Sequence, residues 1–251
     1  MNDTIQRFTN RVENYVKYRP DYPREVIGLL RRECGLNKDT VIADVGCGTG
    51  ISTRMFLENG NRVFGVEPNK AMRDEAIEQL AVFPWFLPID GTAEKTTLPE
   101  SSVDLVVAAQ AFHWFDPEKA GAEFLRLLRP GGHIVLMWNE RRLDATPFLV
   151  EYEAFLLKYA RDYEQVRHDK VDRSTLDAFF PRDHRKATYD NFQDLDFEGI
   201  KGRMLSSSYM PSEDDEQIGS ILDELRILFA NHAENGRIKV FYDTKVYYSP
   251  D

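Results

Sequence analysis

The decapeptide Val41–Gly50, VIADVGCGTG, restricts what this chain can become more than any other stretch. Val41-Ile42-Ala43 is an apolar run suited to a buried parallel strand. Asp44 follows, then glycines at alternate positions, Gly46, Gly48 and Gly50. Ile51 to Glu58 reads as a helix. Glycine permits positive φ and close approach of a ligand to the backbone, and a helix start leaves N–H groups without helical partners. A dinucleotide turn requires G-x-G-x-x-G, which would place its third glycine at position 51, where Ile51 stands. A Walker loop requires Gly-Lys-Ser/Thr, which does not follow. A ligand-free glycine turn has the same letters, so the neighbouring strands must decide.

The next strand is Arg62 to Val66, and Glu67 stands at its carboxyl end. Glu67 lies 21 residues past Gly46 (67 − 46). A carboxylate about 20 residues past a glycine turn can accept both hydroxyls of a ribose. Pro68 then permits a helix from Asn69 to Leu80. Trp85 to Ile89 reads as a third strand followed by Asp90-Gly91-Thr92-Ala93, and Val103 to Ala109 as a central fourth. The fourth ends in Gln110-Ala111-Phe112-His113-Trp114-Phe115-Asp116. Ligands in open α/β sheets bind outside the carboxyl ends of the strands, so this segment faces a pocket. Asp116 and Pro117 suit the cap and first residue of a helix to Leu128. A turn at Arg129 to Gly132 then leads into a fifth strand, His133 to Trp138.

The pattern D-x-G-x-G-x-G resembles motif I of the class I S-adenosylmethionine-dependent methyltransferases. YRPDYP (residues 18–23), AFHWF followed by an acid (111–116), LRPGG (128–132) and the SSSYMP loop (206–211) resemble a small-molecule branch of that family, of the trans-aconitate methyltransferase type. The likeness covers residues 15 to 139 strongly and 185 to 211 moderately. It implies a doubly wound, seven-stranded, mostly parallel sheet of Rossmann-like form, and S-adenosylmethionine as cofactor, with S-adenosylhomocysteine as product. Around the turn it implies cofactor contacts at Asp44, Gly46, Cys47, Gly48 and Gly50, with Glu67 and Pro68 at the ribose. Asp90, Gly91, Thr92 and Ala93 are implied at the adenine, and Gln110 and Ala111 at the reacting end. An N-terminal lid would bring Tyr18 and Arg19 to the cofactor carboxylate, for which an Arg fork is suited.

For the acceptor, Tyr15, Phe112 and Trp114 suit an apolar or π wall. Trp138 and Arg141 stand where the fifth strand opens, and Tyr209 lies in the SSSYMP loop. His113 is the candidate general base, neutral near pH 7 and sited at a strand end. Arg141 and Arg142 are candidates to hold a carboxylic acid.

After the fifth strand the minimal pattern is interrupted. Residues 1–139 are expected to hold the lid and cofactor-binding core, 140–184 a helical cap, and 185–251 the completion of the sheet. In the cap, Phe148, Tyr152, Phe155, Leu156 and Tyr159 recur at helical spacing and suit its core. Leu176, Phe179 and Phe180 would close it, and the charged run from Arg161 to Arg173 suits a solvated face. A sixth strand is expected from Arg185 to Asn191, helices at Asp196 to Leu205 and Glu213 to Ala233, and a last strand from Arg237 to Ser249. Phe8 belongs to the aromatic cluster ahead of the core.

Composition limits the partners. The 251 residues carry a formal net charge of −10, which disfavours nucleic acid as a substrate. Cys34 and Cys47 are too few for a disulfide framework, and no Cys/His spacing suits a metal. The polar N-terminus lacks a secretory pattern, and no apolar run approaches a membrane span. The expectation is a cytoplasmic monomer or homodimer that methylates a small molecule at O, N or C. The other readings are a protein or tRNA methyltransferase, a non-catalytic binder of the cofactor or its product, and a nicotinamide dehydrogenase, which the glycine spacing disfavours.

Overall fold

The computed structural model describes residues 11–161, 173–180 and 183–250. Phe8 and most of the run from Arg161 to Arg173 lie outside the described residues. The strands are β1 (Val41–Val45), β2 (Arg62–Val66), β3 (Phe86–Ile89), β4 (Val103–Ala109), β5 (Leu128–Arg141), β6 (Arg185–Leu195) and β7 (Ile238–Tyr248). They form one seven-stranded mixed sheet, mostly parallel, in the order β3-β2-β1-β4-β5-β7-β6. β1 pairs in parallel with both β2 and β4, so the strand order reverses at β1. That reversal is the topological switch point at which open α/β sheets hold ligands.

The helices are α1 (Val12–Tyr18), α2 (Glu25–Glu33), α3 (Ile51–Glu58), α4 (Lys70–Gln79), α5 (Pro117–Leu127), α6 (Pro147–Tyr159), α7 (Arg173–Phe179), α8 (Phe197–Leu205) and α9 (Ile218–His232). Their starts follow local chemistry. Asn69 accepts from the N–H groups of Ala71 and Met72 ahead of α4. Asp116 caps α5 with Pro117 in its first turn, and Thr146 with Pro147 does the same for α6. Asp196 caps α8 through the Gly199 N–H at 2.8 Å.

Among the described residues the chain divides into two compact units. One draws on residues 21–139, 173–180, 183–189 and 244–250. Its strands are buried on both faces because successive residues enter different cores. Ala43, Val106, Ala108, Ile134 and Leu136 join Phe124 of α5 and Phe179 of α7. Ile42, Leu105, Val107, Val135 and Met137 join Leu30 of α2 and Phe56 of α3. Helices on both faces make this the expected doubly wound arrangement. Leu176, Phe179 and Phe180 enter the first of these cores; they do not close the aromatic stripe of α6.

The other unit draws on residues 11–20, 140–161 and 190–243. Its core joins Phe148, Tyr152, Phe155 and Leu156 of α6 with Ile200 and Met204 of α8, Ile221 and Leu225 of α9, and Val240 and Tyr242. The expected cap segment, 140–184, therefore contributes residues to both units.

The largest differences from the sequence reading are at two element starts; β5 and β6 also run on to Arg141 and Leu195, past the expected Trp138 and Asn191. β5 begins at Leu128, because the expected turn at Arg129 to Gly132 is a bulge inside the strand. Val103 aligns with Leu128 and Leu105 with His133, so two steps on β4 face five on β5. Gly131, at φ 79°, supplies the left-handed residue that the bulge needs. α9 begins at Ile218, not near Glu213. Asp215 instead accepts from the Gln217 N–H through its side chain, a local bond that competes with helix.

One ion pair fixes the segment after β3. Glu123 of α5 accepts from the Thr96 N–H at 2.9 Å and its hydroxyl at 2.6 Å, and pairs with Arg126 at 2.7 Å. Arg126 first, and then Thr96, hold the Glu123 carboxyl down at about 2. The stability this adds is present above the ordinary carboxylate range and is lost as pH falls through about 2. Glu123→Gln is expected to cost about 1–3 kcal/mol at pH 7, the order of hydrogen bonds to a charged group. Urea unfolding should show that difference shrinking as the pH is lowered from about 4.5 towards 2.

Candidate functional site

The glycine turn after β1 is built by close approach. Gly46, Gly48 and Gly50 have φ of 73°, 56° and 89°. A Cβ on Gly46 would lie 2.6 Å from the Ala111 Cβ, and one on Gly50 would lie 2.6 Å from Leu80 Cδ1. Gly46 is thus where the turn after β1 presses on the segment after β4, and no larger residue leaves room there.

Four of the turn's amides bond within the protein. The Gly46 and Cys47 N–H groups donate to the Val66 carbonyl at 2.8 and 3.2 Å. Gly48 N–H donates to Glu67 Oε2 at 3.0 Å, and Gly50 N–H to the Cys47 carbonyl at 2.9 Å. A pyrophosphate loop instead presents its amides to the anion. These four are not so presented, in agreement with the glycine spacing.

Beneath it lies Asp44, wholly buried. Its Oδ2 accepts from the hydroxyls of Ser52 at 2.7 Å and Thr53 at 2.6 Å, both in the first turn of α3. Among the described residues its Oδ1 has no hydrogen-bond partner, and neither has the buried Thr49 hydroxyl. Burial pushes the Asp44 carboxyl up to about 6, against the two hydroxyls, which lower it. Burial also raises Glu67, while the N–H groups of Asn69 and Gly48 pull it down. Glu67 Oε1 accepts from Asn69 N–H at 2.8 Å. With each oxygen bonded once to the backbone, the carboxylate keeps lone pairs for further donors. Cys47 is buried, and burial first, then Asp44 and Glu67, push its thiol well up, so it is an inert packing group.

Around the turn, Asp90 is mostly exposed and pairs with Arg73 at 3.1 Å. The same arginine donates to the Glu67 carbonyl at 2.5 Å. Gly91 has the Thr96 carbonyl 2.6 Å from where its Cβ would stand, and Thr92 and Lys95 exchange backbone bonds. Pro68 is half-buried at the end of β2, and Ala93 is buried. After β4, Gln110 takes φ 55° and accepts from the Asn139 N–H through its side chain at 2.8 Å. Ala111 precedes a single 3-10 turn, Phe112–Trp114. His113 and Trp114 are half-buried, with ring centroids 4.8 Å apart.

The structure thus brings Asp44, the three glycines, Glu67, Asp90 to Ala93 and Gln110 to Trp114 into one unit. Phe112 and Trp138 belong to it as core residues. Phe112 packs edge-on against Phe115, Trp138 and Phe179. Tyr15, Tyr18, Arg19, Arg141 and Tyr209 belong to the other unit. Tyr18 lies on Gly202 of α8, where any Cβ would enter its ring. Arg19 donates to the Ser206 carbonyl at 2.7 Å and stacks over Tyr15 at 4.8 Å. Arg141 is ion-paired with Glu153 and stacks over Tyr152 at 5.2 Å. Arg142 pairs with Asp243 and Asp190.

Sequence reasoning missed Ser52, Thr53, Asn69 and Arg73. The first two are hydroxyls in the first turn of α3, eight and nine residues past the buried acid. Asn69 is a capping residue directly before a helix, and that signal was readable.

A family model described as a methyltransferase domain matches residues 43–136. A relative named as an uncharacterized methyltransferase of Mycobacterium bovis is 34% identical over 233 residues, which cover 92% of this chain and 88% of its own. A methyltransferase-like protein of Schizosaccharomyces pombe is 28% identical over 252 residues, covering 98% and 95%. A solved structure from Anaeromyxobacter dehalogenans, provisionally named a type II methyltransferase, aligns with a TM-score of 0.69 at 23% identity, over 93% of this chain and 98% of that one. That likeness speaks to the fold. The chain belongs to the class I S-adenosylmethionine-dependent methyltransferases, and it is an enzyme.

A carboxyl held near 6 when folded and near 4 when unfolded favours folding in acid. Its contribution is present below about 4 and is lost as the pH rises through about 6. The shift corresponds to about 3 kcal/mol. Asp44→Asn is expected to remove that part of the pH dependence. Urea unfolding of parent and variant at pH 4.5 and pH 7 should show the variant gaining on the parent at the higher pH.

Proposed function

We propose that this chain transfers the methyl group of S-adenosylmethionine to a small-molecule acceptor. The observation that carries the reading is the turn with inward amides above two buried carboxylates. Such a site suits a cofactor that is cationic at sulfur and carries an uncharged ribose. The orphaned oxygens of Asp44 and Thr49 fit a group bearing hydrogen-bond donors. Glu67 would accept the ribose hydroxyls, and Asp90 the adenine amino group. The bound cofactor supplies a methyl group already activated by positive sulfur.

The protein's own contribution is position and exclusion of water. Asp44 places negative charge below the turn, where low dielectric strengthens its pull on a cation. Gly46 and Ala111, in contact, fix the floor against the segment after β4. His113, beside Trp114, would take the proton when the acceptor atom carries one. The acidic balance of the chain, −10, supports a small acceptor over a nucleic acid.

Titration calorimetry with S-adenosylhomocysteine tests the reading. Binding in the micromolar range is expected, about −8 kcal/mol at 1 μM. Asp44→Asn should weaken it roughly tenfold, about 1.4 kcal/mol. In the parent, affinity should fall as the pH drops below about 6, where Asp44 takes up its proton. An absence of binding would remove the cofactor assignment. With an acceptor in hand, His113→Ala should lower turnover by roughly 10²-fold or more and leave product binding intact. Unchanged turnover would exclude His113 as the base.

A further inference from the structure

Sequence patterns give Arg73 no part, yet it touches both residues that the nucleoside reading needs. It stands near the start of α4, and its side chain is 14% exposed, low for an arginine. Nη1 donates to the Glu67 carbonyl at 2.5 Å, and Nη2 pairs with Asp90 Oδ2 at 3.1 Å. One planar fork thus grips the chain at the end of β2 and a carboxylate just past β3. The guanidinium is rigid, so the two grips keep a fixed spacing. Burial raises the Glu67 carboxyl, and after the Asn69 and Gly48 N–H groups the charge of Arg73 lowers it.

Asp90 depends on that grip. Its side chain is 75% exposed, and a carboxylate so open to water has several rotamers of similar energy. The chain that follows is fixed by other means. Gly91 sits against the Thr96 carbonyl with no room for a Cβ, and Thr92 and Lys95 exchange backbone bonds. Glu94 accepts from the Asp116 N–H at 3.0 Å, and Thr96 is held by Glu123. None of these bonds reaches the Asp90 carboxylate. Among the described residues Arg73 is its one partner, through Oδ2, and Oδ1 has none.

The two ends of the fork bear on different parts of a nucleoside. Glu67 meets the ribose, which does not vary with the base. Asp90 meets the base, and an ionised carboxylate can only accept. It favours a base edge that carries an amino group and repels one that carries a carbonyl oxygen. Stability does not explain the pairing, because an ion pair so exposed at one end contributes little. A site arranged to accept from an amine does reject the analogue that lacks it. We propose that Arg73 is a positioning residue for the nucleobase: by fixing the Asp90 carboxylate relative to the ribose end, it makes the site select an amino purine over an oxo purine. The proposal rests on the cofactor reading for the nucleoside itself and adds the residue that sets its base selectivity.

The test is titration calorimetry with S-adenosylhomocysteine and with S-inosylhomocysteine, in which an oxo group replaces the adenine amino group. The parent should bind the adenosyl compound at least roughly tenfold more tightly, the order expected of one hydrogen bond to a charged group. Arg73→Met should bring that ratio down to about two, as Asp90→Ala should, because the freed carboxylate turns to water. In the Asp90→Ala background Arg73→Met should leave the ratio where it is, since Arg73 acts through Asp90. A merely structural role for Arg73 would weaken both ligands alike and keep the parental ratio. Should Arg73→Met fail to fold, Arg73→Gln is read in its place: it keeps an amide donor for the Glu67 carbonyl, lacks the charge for Asp90, and should lose the ratio too. The parental ratio in the Arg73 variants would overturn the proposal and leave the cofactor reading standing, as would a parent that binds both compounds equally. A parent that binds neither would overturn the cofactor reading and the proposal with it.

Discussion

A carboxylate taken wholly out of water is the constraint from which the site follows. Asp44, in β1, sits at zero exposure, held by two hydroxyls on the first turn of α3. The helix N-terminus favours negative charge there, and the two hydroxyls supply bonds, yet one oxygen stays without a donor. Burial raises its pKa, so the fold is less stable with the charge than without it. An apolar residue would pack there more cheaply. Perturbed carboxyls of this kind mark functional sites, where stability is given up for chemistry.

The rest of the site keeps that charge in place. Glu67 carries the end of β2 across to the turn through Gly48, and to the start of α4 through Asn69. Arg73 then ties the backbone of Glu67 to the side chain of Asp90, linking the ends of β2 and β3. Gly46 lets the segment after β4 come within contact of the turn. The links through Gly48, Arg73 and Gly46 join the carboxyl ends of neighbouring strands, and the last of them spans β1 and β4, where the strand order reverses. Gly46, Cys47, Gly48 and Gly50 spend their amides within the protein, where a phosphate-holding loop presents them to its anion.

The strands were legible where burial on both faces leaves continuous apolar runs, as in Val41–Val45 and Val103–Ala109. The turn was legible because its glycines are forced by φ and by contact, which single residue types record. The bulge in β5 was hidden, because Arg-Pro-Gly-Gly reads as a turn whether or not a neighbouring strand continues the pairing. Ion pairing was hidden for a similar reason. Arg141 stands in the sequence as a candidate for a carboxylic acid, and only the fold shows that Glu153 neutralises it. Phe112 was read as a wall of the pocket from its place after β4, but a 3-10 turn rotates it into the core against Phe179. The start of α9 was misplaced because the acids that suit a helix N-terminus also bond their own backbone.

The buried acids and the glycine turn belong to one unit, and the ion-paired Arg141 and Arg142 to the other. The central claim concerns the acids: Asp44 and Glu67, below and beside the turn, form the floor of the cofactor site. A crystal structure of the complex with S-adenosylhomocysteine tests it most directly. The account predicts ribose hydroxyls on Glu67 and the homocysteine chain over Gly46 to Gly50, with the turn's amides still bonded to Val66 and Glu67. A nucleoside bound away from Glu67, or turn amides swung out to meet the ligand, would contradict it.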